Sequence, residues 1–276
     1  MPELPEAETI ARGLHNTIAG GCVQRVRVHR AEVVEPMTPS GFRRALTQRR
    51  VESVGRRAKW IVAVMDDGLR WVTQLRMTGC FSWSESSRLR AEPHLSISIL
   101  VEAPQTVGVL RFYDVRRFAR MWAMDPVAWS ELDERLGIEP LSEEFTPDSL
   151  ASCLARSQAP LRNALLDQKR VAGIGNIYAS EACHVARVDP SRPAGGLTRP
   201  ELRRLHSAIQ KVLGEAVERR GTSLSDYRDL LGDEGTFQNV LDVYGREDEV
   251  CRRCGGTITR IVLAGRSAFL CPDCQR

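Results

Sequence analysis

The chain begins MPELPEAET, placing a proline directly before a glutamate at its start, with a second carboxylate at Glu6. Pro2 is small, and an initiator Met1 is normally removed before such a residue, which would leave a secondary amine as the first atom of the protein. An α-amino group has an unperturbed pKa of about 7.7–8.0 against ~10.4 for lysine, so part of it is unprotonated and nucleophilic near neutral pH. Glu6 to Ala19 reads as a helix, with Ile10, Leu14 and Ile18 at i, i+4 and i+8 and Gly20-Gly21 as its stop. The N-terminus therefore lies at the positive end of a helix, whose field favours the unprotonated amine and attracts anions. A proline that merely opens a chain, as Pro5 opens the helix at its first turn, fits these nine residues too.

The second chemical cluster lies at the other end. CRRC…CPDC places two residues inside each pair, Cys251/Cys254 and Cys271/Cys274, and sixteen between the pairs. Two such knuckles present four thiolates to one tetrahedral ion, and Zn²⁺ suits all-sulfur ligation with no open position, so the site is expected to be structural. Ribbons of this kind take most of their folding free energy from the metal, ~10–16 kcal/mol in peptides. Cys22, Cys80, Cys153 and Cys183 are scattered singly, whereas the other four form the two C-x-x-C pairs, so cysteine usage as a whole is a metal pattern and not a disulfide framework.

Three further stretches hold candidate chemistry. VAGIGNIYASEA sets two glycines before Asn176 at an expected N-cap, leaving backbone N–H groups able to hold a phosphate; a glycine stop at Gly173 accounts for the same residues. Lys169, one of only three lysines beside Lys59 and Lys211, stands just before it. YDVRRFAR and QLRMTG place Arg116, Phe118 and Met77 at strand ends. Phe and Met there are either core or, next to arginine, the wedges a protein inserts into a base stack.

The elements that position these residues change character along the chain. From Val23 to about Met124 the pattern is strands: VQRVRVH, HLSISIL and VGVLRFYDV alternate, and WIVAVMDDGLRWVTQL is two apolar runs around Asp67-Gly68. Such strands with little helix between them predict a sandwich or barrel. Beyond DPVAWSELDERLGIEPL the period is helical. Thr146-Pro147 caps one helix, Pro160 starts another, and Thr198-x-x-Glu201 is a capping box before Leu202, Leu205, Ile209, Val212 and Leu213, with Gly221 as the stop. Thr222 to Phe237 has no period and is rich in Gly, Ser and Asp, so it reads as a long loop, and loops of that length are usually functional or disordered.

Composition narrows the classes. At 276 residues with 42% apolar and 27% charged, the chain has room for two domains with real cores. No apolar run approaches the ~20 residues of a membrane span, and no charged segment precedes a hydrophobic one at the start, so a soluble, unexported, cytoplasmic protein is expected. The last 26 residues hold five arginines and one acid, Asp273, which is the entire net charge of +4. Arginine concentrated beside a metal ribbon is a footprint for phosphate.

MPELPEAET, RRAKW, DVRRF, LGIEPL, LLDQKRVAGIGNIYASEA, GTFQNVLDVYGR and the final C-x2-C-x16-C-x2-C resemble, in order and spacing, the formamidopyrimidine-DNA glycosylases, from the first residue to the last. The resemblance implies an α+β fold: an N-terminal antiparallel β-sandwich flanked by helices over 1–135, a helix-two-turn-helix domain with a lesion loop over 136–240, and a zinc finger over 241–276. It implies a monomeric base-excision-repair enzyme, nucleoid-associated in a bacterium, that binds damaged double-stranded DNA and no membrane, with one structural Zn²⁺ on Cys251, Cys254, Cys271 and Cys274. It implies that the Pro2 amine attacks C1′ of a flipped-out oxidised purine nucleotide, expels the base and forms an iminium that leads to β- and δ-elimination, with Glu3 as the acid/base at the sugar, Glu6 as a second carboxylate close to the same centre and Lys59 beside the lesion and its phosphate. Met77, Arg116 and Phe118 match the void-filling residues, with Arg116 facing the orphaned cytosine, and Lys169, Asn176, Tyr244 and Arg266 match DNA contacts.

The chain departs from the family pattern in two places. The family usually has His-Leu-Gly-Met-Ser-Gly where this sequence has Gln74-Leu75-Arg76-Met77-Thr78-Gly79, and Asp-Pro-Arg-Arg-Phe-Gly where it has Asp114-Val115-Arg116-Arg117-Phe118-Ala119. Three other readings compete. The endonuclease VIII enzymes share the proline and glutamate but prefer oxidised pyrimidines; they usually begin Pro-Glu-Gly-Pro, so Leu4 favours the purine side. Tautomerases also use an N-terminal proline but are small chains without zinc fingers. A non-catalytic damaged-DNA-binding protein would result if Met1 were retained and the amine blocked.

Overall fold

The computed structural model describes residues 2–85, 88, 92–224 and 227–276. Met1, and Ser225 and Asp226 of the expected loop, lie outside them. Contacts divide the chain into two compact units: residues 1–134 with 219–236, and residues 135–218 with 237–276.

The first unit is built on two four-stranded antiparallel sheets. In one, β1 (Cys22–Val28), β6 (Leu95–Glu102), β7 (Val107–Asp114) and β5 (Gly79–Ser84) lie in the order β1-β6-β7-β5. In the other, β2 (Val51–Arg57), β3 (Trp60–Met65), β4 (Arg70–Gln74) and β8 (Arg120–Met124) are neighbours in that order. Val26, Ile99, Leu110 and Phe112 from the first sheet share one core with Val54, Ile61, Trp71 and Met121 from the second. Helix α1 (Leu4–Ile18) packs on β2 and β3 and buries Ile10, Leu14 and Ile18 in that core. Each such side chain contributes about 1.5–3 kcal/mol relative to exposure. Helices α2 (Pro39–Leu46) and α3 (Pro126–Asp133) complete the unit. The β3–β4 hairpin turns where the sequence predicts, with Gly68 at φ +82° and Asp67 Oδ1 accepting from Leu69 N–H.

The second unit is helical: α4 (Pro147–Leu154), α5 (Leu161–Leu166), α6 (Asn176–Ala186) and α7 (Arg199–Glu218), followed by the hairpin β9 (Thr259–Leu263) and β10 (Arg266–Leu270). The expected caps form. Thr146 accepts from Ser149 N–H at 3.1 Å, and Thr198 and Glu201 exchange bonds at the start of α7. The segment 219–236 has no regular structure among its described residues and belongs to the first unit, where Leu230 enters the core. Among the described residues no helix is long and apolar enough to cross a membrane.

Candidate active site and zinc centre

Pro2 is buried and leads into Glu3, the N-cap of α1. Glu3 and Glu6 form a capping box: the Glu3 side chain accepts from Glu6 N–H, and Glu6 Oε2 accepts from Glu3 N–H at 2.7 Å. The other oxygen, Glu6 Oε1, accepts from Thr222 N–H at 2.7 Å. Both carboxylates are buried, 3% and 2% exposed, and each is held where the helix dipole favours negative charge. Thr222 comes from the loop after α7, and Gly221 before it sits at φ +82°, its missing Cβ leaving the space that Glu6 occupies. The sequence offered no signal for this bond, since its partners are 216 residues apart.

Lys59 is half-buried in the β2–β3 turn. Arg56, at the end of β2, holds that turn by donating to Ala58 O, and its Nε reaches Glu8 of α1 at 3.0 Å. The lysine's turn is thereby tied to the first half of the helix that carries Pro2, Glu3 and Glu6.

The sheet topology brings Met77, Arg116 and Phe118 together. The loop after β4 crosses from one sheet to the other to enter β5, and the loop after β7 crosses back to β8. Pairing of Gly79 with Asp114 and of Gln74 with Arg120 sets the two crossings side by side. Asp114, 2% exposed, fastens them: Oδ1 accepts from Thr78 Oγ1 at 2.5 Å and Oδ2 from Ala119 N–H at 2.7 Å. Thr78 Oγ1 in turn accepts from Arg116 N–H at 3.0 Å. Met77 and Phe118 are 41% and 50% exposed, so neither is core, and the Arg116 guanidinium lies 4.9 Å over the Phe118 ring. Arg76, in place of the usual glycine, occupies the left-handed region at φ +55°.

In the second unit Gln168 shapes the glycine turn, donating to Leu166 O and Ile174 O and accepting from Gly173 N–H. Gly173 does adopt a positive φ, +82°. The N-cap of α6 is Gly175, extended at φ −128°, so Asn176 is the first helical residue and not the cap expected for it. Its side chain points across to the ribbon instead, Nδ2 donating to Ser267 O at 2.9 Å. Arg162, fully buried, donates to Leu263 O, Arg266 O and Ser267 O. These two residues seat the β9–β10 hairpin and leave the Arg266 side chain exposed at its tip. Lys169 is exposed beside the glycine turn, and Tyr244 packs edge-on against Phe269 at 5.0 Å. Glu181 of α6 accepts from the N–H groups of Asp242, Val243 and Tyr244, fixing the chain that enters the ribbon. Arg162 and Glu181 carried no signal in the sequence, because burial of a charged side chain is set by what packs over it.

The thiol sulfurs of Cys251, Cys254, Cys271 and Cys274 lie within 4.8 Å of one another, with Cys251···Cys274 at 3.9 Å and Cys254···Cys271 at 3.5 Å. A tetrahedron of Zn–S bonds of ~2.3 Å has edges of about 3.8 Å, so this donor set fits one zinc ion in a closed, structural site.

Residues 1–121 match the formamidopyrimidine-DNA glycosylase N-terminal domain, 136–228 the formamidopyrimidine-DNA glycosylase H2TH domain, and 248–276 the zinc finger found in FPG and IleRS. The chain belongs to the formamidopyrimidine-DNA glycosylase family. It is similar, at 39% identity over the full length of both chains, to the formamidopyrimidine-DNA glycosylase of Herpetosiphon aurantiacus, and at 42%, again over all of both, to that of Beijerinckia indica. Among solved structures it resembles the MutM (FPG) protein of Thermus thermophilus, with 39% identity, a TM-score of 0.86 and 99% and 98% of the two chains covered. It also resembles a Lactococcus lactis FPG mutant in complex with Fapy-dG-containing DNA, with 31% identity, a TM-score of 0.89 and complete coverage of both. Membership makes this chain a DNA glycosylase of base-excision repair with a structural zinc finger, and it excludes the small tautomerases.

Proposed function

We propose that this glycosylase removes oxidised purines, 8-oxoguanine and formamidopyrimidines, from duplex DNA through its N-terminal proline, and then cuts the strand by β- and δ-elimination. The observation that carries the reading is the arrangement around Glu6, whose two oxygens hold Glu3 N–H and Thr222 N–H at 2.7 Å each beside a buried Pro2. Once Met1 is removed, the lone pair of the proline nitrogen attacks C1′, and the base leaves with the electrons of its glycosidic bond and a proton. O4′ then leaves C1′ and takes a proton as the nitrogen forms an iminium. Being a secondary amine, proline gives a permanently cationic iminium, an electron sink that acidifies the C2′ proton. Removal of that proton expels the 3′ phosphate, and a second elimination expels the 5′ phosphate.

Glu3 carries protons at the sugar, and Glu6 holds the N-terminal turn and the 219–236 segment around it. Lys59 lies by the lesion and its phosphate. Met77, Arg116 and Phe118 fill the space the lesion leaves, and Lys169, Asn176, Tyr244 and Arg266 hold the strand. On this reading residues 1–135 carry the chemistry, 136–240 and 241–276 the grip, and the protein works as a monomer on nucleoid DNA in the cytoplasm. The leucine at position 4 supports purines over pyrimidines, while the Lactococcus lactis relative is solved with DNA containing Fapy-dG and with DNA containing an oxidised pyrimidine.

Borohydride added during turnover tests this. A stable protein–DNA adduct mapping to the N-terminal peptide, with Met1 absent, is expected. Glu3→Gln should cut excision sharply and leave lesion binding largely intact. Retention of Met1 should abolish trapping, because the proline nitrogen is then an amide whose lone pair is delocalised. An adduct mapped to Lys59 would make the lysine the nucleophile and return Pro2 to opening the chain.

A further inference from the structure

Helix α6 buries a histidine against the metal ribbon. His184 is 1% exposed, and its Nε2 lies 3.6 Å from the sulfur of Cys251, itself 1% exposed. Its other nitrogen, Nδ1, faces Asp242 Oδ2 at 3.6 Å, and its backbone oxygen accepts from the Arg253 guanidinium at 2.8 Å. Asp242 is placed by the same helix, since Glu181, one turn before His184, accepts from its N–H.

Zinc with four thiolates carries a net charge of −2, and a buried thiolate needs N–H donors to offset that charge. The ribbon supplies backbone donors of its own, from Gly256 N–H to the exposed Cys254 at 3.4 Å and from the N–H groups of Arg253 and Cys254 to Cys251, and His184 adds a side-chain donor to Cys251 from outside it. A zinc-bound thiolate can only accept, so the nitrogen facing Cys251 carries hydrogen. We propose that His184 is an outer-shell donor to the zinc site, its Nε2–H directed at Cys251 and its ring oriented by Asp242, so that a helix outside the ribbon completes the metal's surroundings. It is a positioning residue, not a ligand and not part of the excision chemistry. Partners of this kind set ligand orientation and thiolate donor strength, and their loss costs about 10–100-fold in metal affinity. The same contact fastens the ribbon to the helix whose first residue is Asn176.

The proposal rests on the zinc assignment, and full-length protein separates the two. Wild-type chain that binds no zinc at one equivalent would overturn both. With zinc bound, His184→Leu should hold it about 10–100-fold more weakly against a chromophoric chelator. In cobalt-substituted protein its sulfur-to-metal charge-transfer band should move to longer wavelength, because a thiolate that loses one of its donors gives up electrons more easily. His184→Gln, which keeps an N–H at similar reach, should restore both values towards wild type. Asp242→Asn, at a partly exposed position that does not threaten folding, should move the band in the same direction by less. An unmoved band in His184→Leu, or in Asp242→Asn where the leucine variant does not fold, would overturn the donor role.

Discussion

The backbone N–H of Thr222 donates to Glu6 Oε1 across 2.7 Å, joining the first turn of α1 to the loop that follows α7. Gly221 makes the approach possible, because a Cβ there would lie 2.6 Å from that same oxygen and its φ is +82°. Gly221→Ala should therefore break the bond, raise hydrogen exchange over 219–236 and lower excision. Glu6→Gln should have a related effect, since an amide can accept only one of the two N–H groups and leaves the other buried without a partner, at about 1–3 kcal/mol. Unchanged exchange protection and urea midpoint in both variants would show that this bond does not hold the loop.

Arg116→Ala should shrink the preference for cytosine over adenine opposite the lesion by roughly one to two orders of magnitude, the worth of a bidentate base contact of about 1–3 kcal/mol. Asp114→Asn should shrink it too without touching DNA, because a buried amide cannot accept from both Thr78 Oγ1 and Ala119 N–H. Excision rates on paired substrates measure the ratio, and an unchanged ratio in Arg116→Ala would make this arginine a backbone contact.

Arg76 holds a left-handed conformation at φ +55°. Relief of that crowding is worth ~1–2 kcal/mol, partly offset by the greater chain entropy of glycine, so Arg76→Gly should stabilise the protein by about 0.5–1 kcal/mol. Denaturant midpoints at fixed pH would reveal a loss of stability instead, and that would mean the guanidinium makes a compensating contact.

The Glu201 carboxyl is held down to about 2 by its hydrogen bond to Arg192, against opposing burial and with help from Thr198. A group whose pKa is lowered on folding contributes stability above its ordinary value and loses it as pH falls through the lowered one. The stability difference between wild type and Glu201→Gln should therefore be constant above about pH 4.5 and vanish towards pH 2. Acid also releases zinc from both proteins, so the difference between the two is the quantity to follow. A difference that does not change with pH would assign the effect to shape and not charge.

What the sequence determined by itself is what neighbours along the chain can settle. The stripe of Ile10, Leu14 and Ile18, the caps at Thr146 and Thr198, the turn at Asp67-Gly68 and the four-cysteine spacing each depend on residues within a few positions or on metal-ligand geometry, and each formed. Asn176 marks the limit of that reach, since one residue's difference in the cap is decided by the backbone of Gly175 and by the ribbon carbonyl that its amide meets. The tertiary structure decided the rest: that the loop after α7 returns to the first unit, that Glu6 meets Thr222, that Asp114 locks two crossings between sheets, and that Arg162, Glu181 and His184 are buried as ties to the ribbon. Most of these contacts join residues far apart in the chain, Glu6 and Thr222 by 216 positions. No periodicity records them, because a buried polar group is satisfied by whichever distant backbone the packing of the core brings within reach.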